Sequence, residues 1–456
     1  MTWLYRYEAK SIQRWILGTD RLVELQGGST LVEGLEELAR QALPASARWL
    51  YGGAGSGTAT FPDRETLAWF AGSWPMLVSR VAPGLELVQA WSDRGDLGEI
   101  RERLGRARNR PPPDLPEVGP WVARSGRSGL PAVARDPEGG LLDAGARARA
   151  DAGANTEDTL GAKMLAGARH APPEGLCWQR DLQAYPADEG VAVVHADGNR
   201  LGERIHRMDA GALAAFSVAL RDASWVAARA ATNALWQVDG WDERPARVDG
   251  RRALNGRPVV AGGDDFTMIV RGRAALPVAY AWLTAFERET ARLSGGKLTA
   301  CAGVTWVRRG FPFHQAHQLA EALCRGSKVA FAEDPGAGSR LSFARVTTAI
   351  SEEAGDAPSW TLPELERLAQ LTAGVVAFRA RGKLRDWTAE RDEAAAELHW
   401  ARIAQVASED EPGAWSELEA RLGPFAARKR EAVQAALQWS RVQPGSLQDR
   451  LGGREA

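Results

Sequence analysis

Apolar runs of strand length, each followed by apolar positions at helical spacing, recur in two passes along the chain. In the first pass Leu4-Tyr5-Arg6-Tyr7-Glu8 reads as a strand and Ser11-Ile12-Gln13-Arg14-Trp15-Ile16 opens a helix. A second amphipathic segment follows Arg21 to Ser29, and a glycine-rich hairpin candidate runs from Ala47 through Gly52 and Gly57 to Phe61. The order strand, helix, glycine-rich hairpin, helix spans about 3 to 105 and returns over about 190 to 345. Glu8 falls near the repeat position of Asp197.

In the second pass Val191-Ala192-Val193-Val194 is a buried strand that ends at Asp197-Gly198-Asn199, with a turn into a helix behind it. Leu213, Phe216, Leu220, Trp225, Ala228 and Leu235 then face a core at helical spacing. Asp239 to Gly256 is polar and glycine-bearing and reads as a loop. Pro258-Val259-Val260-Ala261 and Phe266-Thr267-Met268-Ile269-Val270 flank Gly262-Gly263-Asp264-Asp265, which predicts a β-hairpin with two acids at its tip. The last hundred residues read as a helical bundle. It starts at the N-cap Ser359-Trp360-Thr361, continues through Leu365, Leu368, Ala369 and Leu371, and has two further helices at 387–406 and 415–439.

The stretch from about 101 to 185 is the least regular. Arg101, Arg103, Arg106, Arg108 and Arg110 precede Pro111-Pro112-Pro113, and the segment reads as a linker with one helical piece near 156–168. Its arginines read either as a solvated linker or as a surface for RNA or a partner subunit. Aromatic residues do not interleave with them, so a base-stacking platform is not indicated.

Composition narrows the class. A chain of 456 residues with 45% hydrophobic and 25% charged positions is ordinary for a globular protein of several domains. A formal net charge of −1 gives no global field for nucleic acid. No apolar run reaches the roughly 18 residues of a membrane span, and no signal peptide precedes the first strand, so a cytoplasmic protein is expected. Cys177, Cys301 and Cys324 are too scattered for a disulfide framework or a zinc site, and no zinc is expected. Most of the 18 tryptophans, Trp225 and Trp282 among them, sit on apolar helical faces and read as core.

Asp264 and Asp265 are the strongest chemical signal. Like charges about 4 Å apart repel by roughly 4 kcal/mol at an effective dielectric near 20, so such a pair is comfortable only in open water or around a cation. Gly262 and Gly263 let phosphates approach the backbone. Asp197 stands at a neighbouring strand end, and the three acids together can hold two Mg²⁺ or Mn²⁺ ions. Alone, the Asp264-Asp265 pair reads rather as an acidic hairpin turn and Asp197 as a helix N-cap; together, on apolar strands with a helical crossover between them, they point to the site. Lys328 stands out because only six lysines occur in the chain. A point-charge contact to a triphosphate and a cation at a helix C-terminus both remain open for it.

These motifs resemble the palm-type polymerase/cyclase large subunit of type III CRISPR effector complexes. Asp197 to Gly202 is similar to its Asp-Gly-Asn-x-Leu-Gly strand end and Gly262 to Asp265 to its Gly-Gly-Asp-Asp hairpin. Leu298 to Val304 is similar to the next palm strand, Pro312 through Lys328 to a helix ending in a lysine near the phosphates, and Gly27-Gly28-Ser29 to a Gly-Ser helix start in the first palm. Diguanylate cyclases are a weaker resemblance. The hairpin differs from theirs by one residue, but the Asp197 segment lacks their Phe-Lys turn. No His-Asp dipeptide occurs, so the HD nuclease of many family members is not expected, and neither is their cysteine-ligated zinc module.

The resemblance implies an α+β fold of two ferredoxin-like (βαββαβ) palms and a C-terminal helical bundle. The expected divisions are a degenerate first palm at 1–105, the linker at 106–185, a second palm at 186–350 and the helical domain at 357–456. It implies conversion of ATP into cyclic oligoadenylates, with Asp197, Asp264 and Asp265 as catalytic metal ligands. Gly198, Asn199, Gly262, Gly263 and Lys328 would lie against the nucleotide. ATP, other effector subunits and guide or target RNA are the implied partners, and self-association stays open. A stand-alone cyclic-dinucleotide synthase and a non-catalytic nucleotide-binding scaffold are the alternatives.

Overall fold

The computed structural model describes residues 2–442 except 20, 54, 111–118, 155–159, 167–174, 181–183, 187–188, 207, 241–245, 294–295 and 347–356. The first unit runs β1 (Trp3–Lys10), α1 (Ile12–Ile16), α2 (Leu22–Ala42), β2 (Arg48–Gly53), β3 (Ser56–Phe61), α3 (Arg64–Val81), β4 (Glu86–Ser92) and α4 (Leu97–Arg108). Its sheet order is β2-β3-β1-β4, all antiparallel, which is the ferredoxin-like arrangement. Tyr5, Tyr7, Phe61, Phe70 and Trp74 fill its core.

Between the palms lie β5 (Ala132–Arg135), β6 (Leu141–Asp143), α5 (Ala144–Ala154), α6 (Leu160–Leu165) and β7 (Leu176–Trp178). The stretch read as a linker therefore carries a hairpin and a helix that lies on α2. The proline triplet and the flanks of the expected helical piece lie outside the described residues. Gly27 and Gly28 do not start a helix. They lie inside the continuous α2, because a Cβ on Gly27 would stand 1.8 Å from the Arg149 carbonyl of α5. Arg127, ahead of β5, also ties this region to α2 by donating to the buried Glu24 at 2.9 Å. The arginines of α4 are engaged too: Arg103 pairs with Glu99, Arg106 with Glu102, and Arg108 with Glu8.

The second palm runs β8 (Val191–Gly198), α7 (Leu201–His206), α8 (Ala210–Asp239), β9 (Arg247–Val248), β10 (Arg251–Leu254), β11 (Gly256–Gly262), β12 (Asp265–Arg271), α9 (Ala275–Thr290), β13 (Ala300–Val307), α10 (Phe313–Glu333) and β14 (Arg340–Arg345). The expected loop before the acidic hairpin thus holds the short β9–β10 hairpin, whose few polar residues carry no alternation signal. β10 pairs with β7. The main sheet order is β11-β12-β8-β13-β14-β15, with β15 at Ser359–Thr361. Its first four strands repeat the order of the first palm. One face (Ala192, Val194, Phe266, Met268, Ala302) packs on α8 and α9, with Trp282 stacked between Phe266 and Phe286. Val193, Ile269, Phe313 and Ala316 share a core with the first palm on the other side. α2 touches β11 while α8 touches β2, so the two palms dock by reciprocal contacts.

The tail continues α11 (Leu362–Ala377), α12 (Arg381–Ala389), α13 (Glu393–Asp410), α14 (Pro412–Leu422) and α15 (Lys429–Ser440). Thr361 caps α11 in a capping box with Glu364. Each of the two long helices expected here is split. Asp392 caps a fresh start by accepting from Ala395 at 2.7 Å, and Pro424 stands in the 3-10 turn before α15. Among the described residues no helix is long and apolar enough to cross a membrane.

Candidate functional site

The acidic tip is a two-residue hairpin turn. Gly262 pairs with Asp265, leaving Gly263 and Asp264 between the strands. Gly263 has φ 63, the left-handed value that suits glycine at the first central position of a type II′ turn. Ser224 of α8 donates to the Gly263 carbonyl and pins the turn. β12 runs antiparallel to β8 with Phe266 opposite Ala196, and one step further along that register Asp265 comes opposite Asp197. Asp264 lies against the end of the same strand, where a Cβ on Gly198 would meet its Oδ2 at 2.6 Å. The structure therefore brings Asp197, Gly198, Gly262, Gly263, Asp264 and Asp265 together.

Lys328 joins them from α10. It donates to Asp197 Oδ2 and, at 3.1 Å, to the Gly198 carbonyl. α10 runs on to Glu333, so Lys328 does not end its helix. Burial disfavours its charge, but the Asp197 carboxylate more than offsets this and holds its pKa above the ordinary value. Asn199 turns away from the acids. Its amide donates to Thr299 Oγ1 at 3.0 Å and its N–H to the Thr299 carbonyl at 2.9 Å, clamping the chain before Arg200, which has φ 54.

The acids are electrostatically unsatisfied. Burial, then the Asp197 and Asp265 charges, pushes Asp264 up to about 7. Burial and the Asp197 charge push Asp265 up to about 7 as well, against the lowering pull of a Gln13 hydrogen bond. Asp265 Oδ1 is buried without a hydrogen-bond partner, and His195 Nδ1 stands 3.7 Å from it. His195 bonds Thr267 at 3.0 Å and packs against His317, with ring centroids 5.0 Å apart. Burial pushes His195 down to about 4 and His317 to about 3, so both rings are neutral and supply no positive charge. Beside Asp265 a cleft of about 680 Å³ opens between the two palms, lined by Ser11, Gln13, His314, His317 and Glu321.

This charge deficit is what a divalent cation removes. Among the described residues no three His, Cys, Asp or Glu side chains are gathered closely enough to hold an ion. The donor set fits one in chemistry, with hard oxygens and an unpartnered carboxylate oxygen. Lys328 holds the cationic place at Asp197.

The first palm repeats this frame without the acid pair of the hairpin. Gly53 pairs with Ser56 as Gly262 does with Asp265, and Ser56 lies opposite Glu8. Ser56 thus replaces Asp265, while Glu8 takes the place of Asp197 and is held by Arg6 at 2.9 Å and by Arg108. The likeness extends to a bulge three residues before each pairing glycine, and to left-handed Ser11 and Arg200 after β1 and β8. Gln13, His195, His317 and Ser224 were not legible as site residues. Gln13 and Asp265 lie 252 positions apart, and nothing local links them.

Fold and site define a duplicated palm architecture with an acidic hairpin in its second copy. Residues 190–332 match the family model for Cas10/Cmr2, second palm domain. No curated protein matches the chain. Among solved structures, the Csm1–Csm4 cassette in complex with cA4 aligns at TM-score 0.53 and 16% identity, covering 97% of this chain and 70% of that chain. Csm1 in T.onnurineus aligns at 0.52 and 15% over the same shares, and the cassette in complex with AMPPNP at 0.50 and 15%. The chain is similar to the Cas10-like large subunit of type III CRISPR complexes.

Proposed function

We propose that this protein is a metal-dependent nucleotidyl cyclase that joins ATP into cyclic oligoadenylates in CRISPR-type antiviral defence. The observation that carries this reading is the pair Asp264 and Asp265, both pushed up to about 7 at a palm hairpin facing a third acid. A retired site has no need of three carboxylates. Asp197, Asp264 and Asp265 would hold two Mg²⁺ or Mn²⁺ ions. Bound cations would lower the pKa of the attacking 3′-hydroxyl and neutralise charge on the leaving pyrophosphate. The Gly262-Gly263 turn and the Gly198-Asn199 backbone would leave room for phosphates. Lys328, released from Asp197, would meet the triphosphate.

Solved structures with this fold support the substrate class, since they are described in complex with AMPPNP, pppApA and cA4. The Csm1–Csm4 cassettes support a partner subunit. Incubation with each NTP and Mg²⁺ or Mn²⁺, read by mass spectrometry, tests the reading and gives the ring size. A cyclic oligoadenylate made by wild type but not by Asp264→Ala/Asp265→Ala is expected. A cyclic dinucleotide would move the protein to a stand-alone signalling circuit, and equal product from the double variant would end the proposal.

A further inference from the structure

Gln13 belongs to the first palm and Asp265 to the second, yet Gln13 Nε2 donates to Asp265 Oδ2 at 2.7 Å. The place of Gln13 is built by the fold. β1 ends at Lys10, and Ser11 takes a left-handed conformation (φ 55, ψ 37) with no side-chain cap of its own. A non-glycine residue held there is uncommon and is retained where the surrounding structure fixes it. The turn starts α1 so that Gln13 lines the cleft beside Asp265. Behind it Ile16 joins a core that continues into Val259, Ile269 and Phe313 of the second palm. Ser29 fixes the same interface by donating to the Val259 carbonyl, which the β11 bulge leaves outside the ladder.

The bond divides the labour of the carboxylate. Oδ2 is held by the amide and Oδ1 is left unpartnered. A carboxylate fixed in this way is oriented to ligate through one oxygen, and the partners that orient metal ligands act on metal affinity. The first palm has Ser56 where the second has Asp265. What it contributes to the acidic site is this amide.

We propose that Gln13 is a positioning residue that holds Asp265 as a one-oxygen ligand for a divalent cation, so that the first palm completes the site of the second. The inference rests on the reading of Asp265 as a metal ligand given above. It predicts that metal affinity depends on a residue that touches no metal and lies in the other palm.

The test is Mn²⁺ titration of the full chain, following free Mn²⁺ by electron paramagnetic resonance. Wild type is compared with Gln13→Met, Gln13→Leu, Asp265→Asn and Ser29→Ala, with metal-free melting curves as the folding control. Gln13→Met and Gln13→Leu should bind Mn²⁺ about tenfold more weakly. Ser29→Ala loosens the same interface without touching Asp265 and should bind as wild type does. Wild-type affinity in both Gln13 variants, with binding lost in Asp265→Asn, overturns the role of Gln13 and keeps Asp265 as a ligand. Wild-type affinity in Asp265→Asn refutes the ligand reading itself. A loss in Ser29→Ala equal to that in Gln13→Met assigns the effect to palm docking and also overturns the proposal.

Discussion

Gly198 and Asp264 compete for one volume: a Cβ on the glycine would lie 2.6 Å from both the Cβ and Oδ2 of the aspartate. The end of β8 and the tip of the acidic hairpin can close on each other only because that side chain is missing. Gly198→Ala should therefore displace the tip by a fraction of an ångström to an ångström. Misplacement on this scale costs roughly 100-fold in rate. Product formation should fall by about that factor while the melting temperature shifts little. Activity near wild type would show that the contact is not needed.

Asp264→Asn should stabilise the metal-free protein, and the gain should depend on pH. The carboxyl is raised from an ordinary 3.8 to about 7 in the fold, so the folded state binds more protons between those values. Wild type loses stability as pH rises through that window, and the amide does not. Melting curves in a chelator should show the variant gaining on wild type from pH 4 upward and the difference levelling above about 7. A gain that does not vary with pH would mean that the acid is not strained by charge.

Lys328→Gln removes the ammonium that bonds Asp197 and Gly198. A hydrogen bond to a charged group contributes about 1.5–3 kcal/mol, so loss of a triphosphate contact should raise the KM for ATP by roughly tenfold or more. An unchanged KM would leave Lys328 as a partner of Asp197 alone.

Arg271, far along β12 from the tip, is 1% exposed and forks onto Glu189 at 2.7 and 3.0 Å and onto Asp239 at 2.8 Å. Arg271→Leu removes the cation shared by two buried acids, leaving Glu189 to Arg273 and Asp239 to the Asn255 N–H, and breaking such a network costs about 3–5 kcal/mol. Urea unfolding should show a lower midpoint with an unchanged slope. A cost below about 1 kcal/mol would mean that water reaches the acids.

The parts of the site that the sequence made legible are local. The hairpin Gly262 to Asp265 and the strand end Asp197-Gly198 carry their own turn and strand signals, and register alone brings them together. Ser11-Ile12-Gln13 is legible as a helix start, but the bond from Gln13 to Asp265 is not, because its partner is in another domain. α2 runs through Gly27 and Gly28, where composition suggests a break, because close packing on α5 selects glycine there. The hairpins β5–β6 and β9–β10 are too short and polar for period-two alternation to mark them. The α4 arginines are drawn by Glu8, Glu99 and Glu102 into pairs that composition cannot reveal.

Pyrophosphate release from ATP, with Mg²⁺ or Mn²⁺ and with any co-purifying subunits and RNA retained, tests the central claim most directly. Wild type should release pyrophosphate, and Asp264→Ala/Asp265→Ala, shown to be folded by a cooperative melting curve, should release at least about 100-fold less. Equal release by the two proteins would contradict the assignment of these acids as the centre of the chemistry.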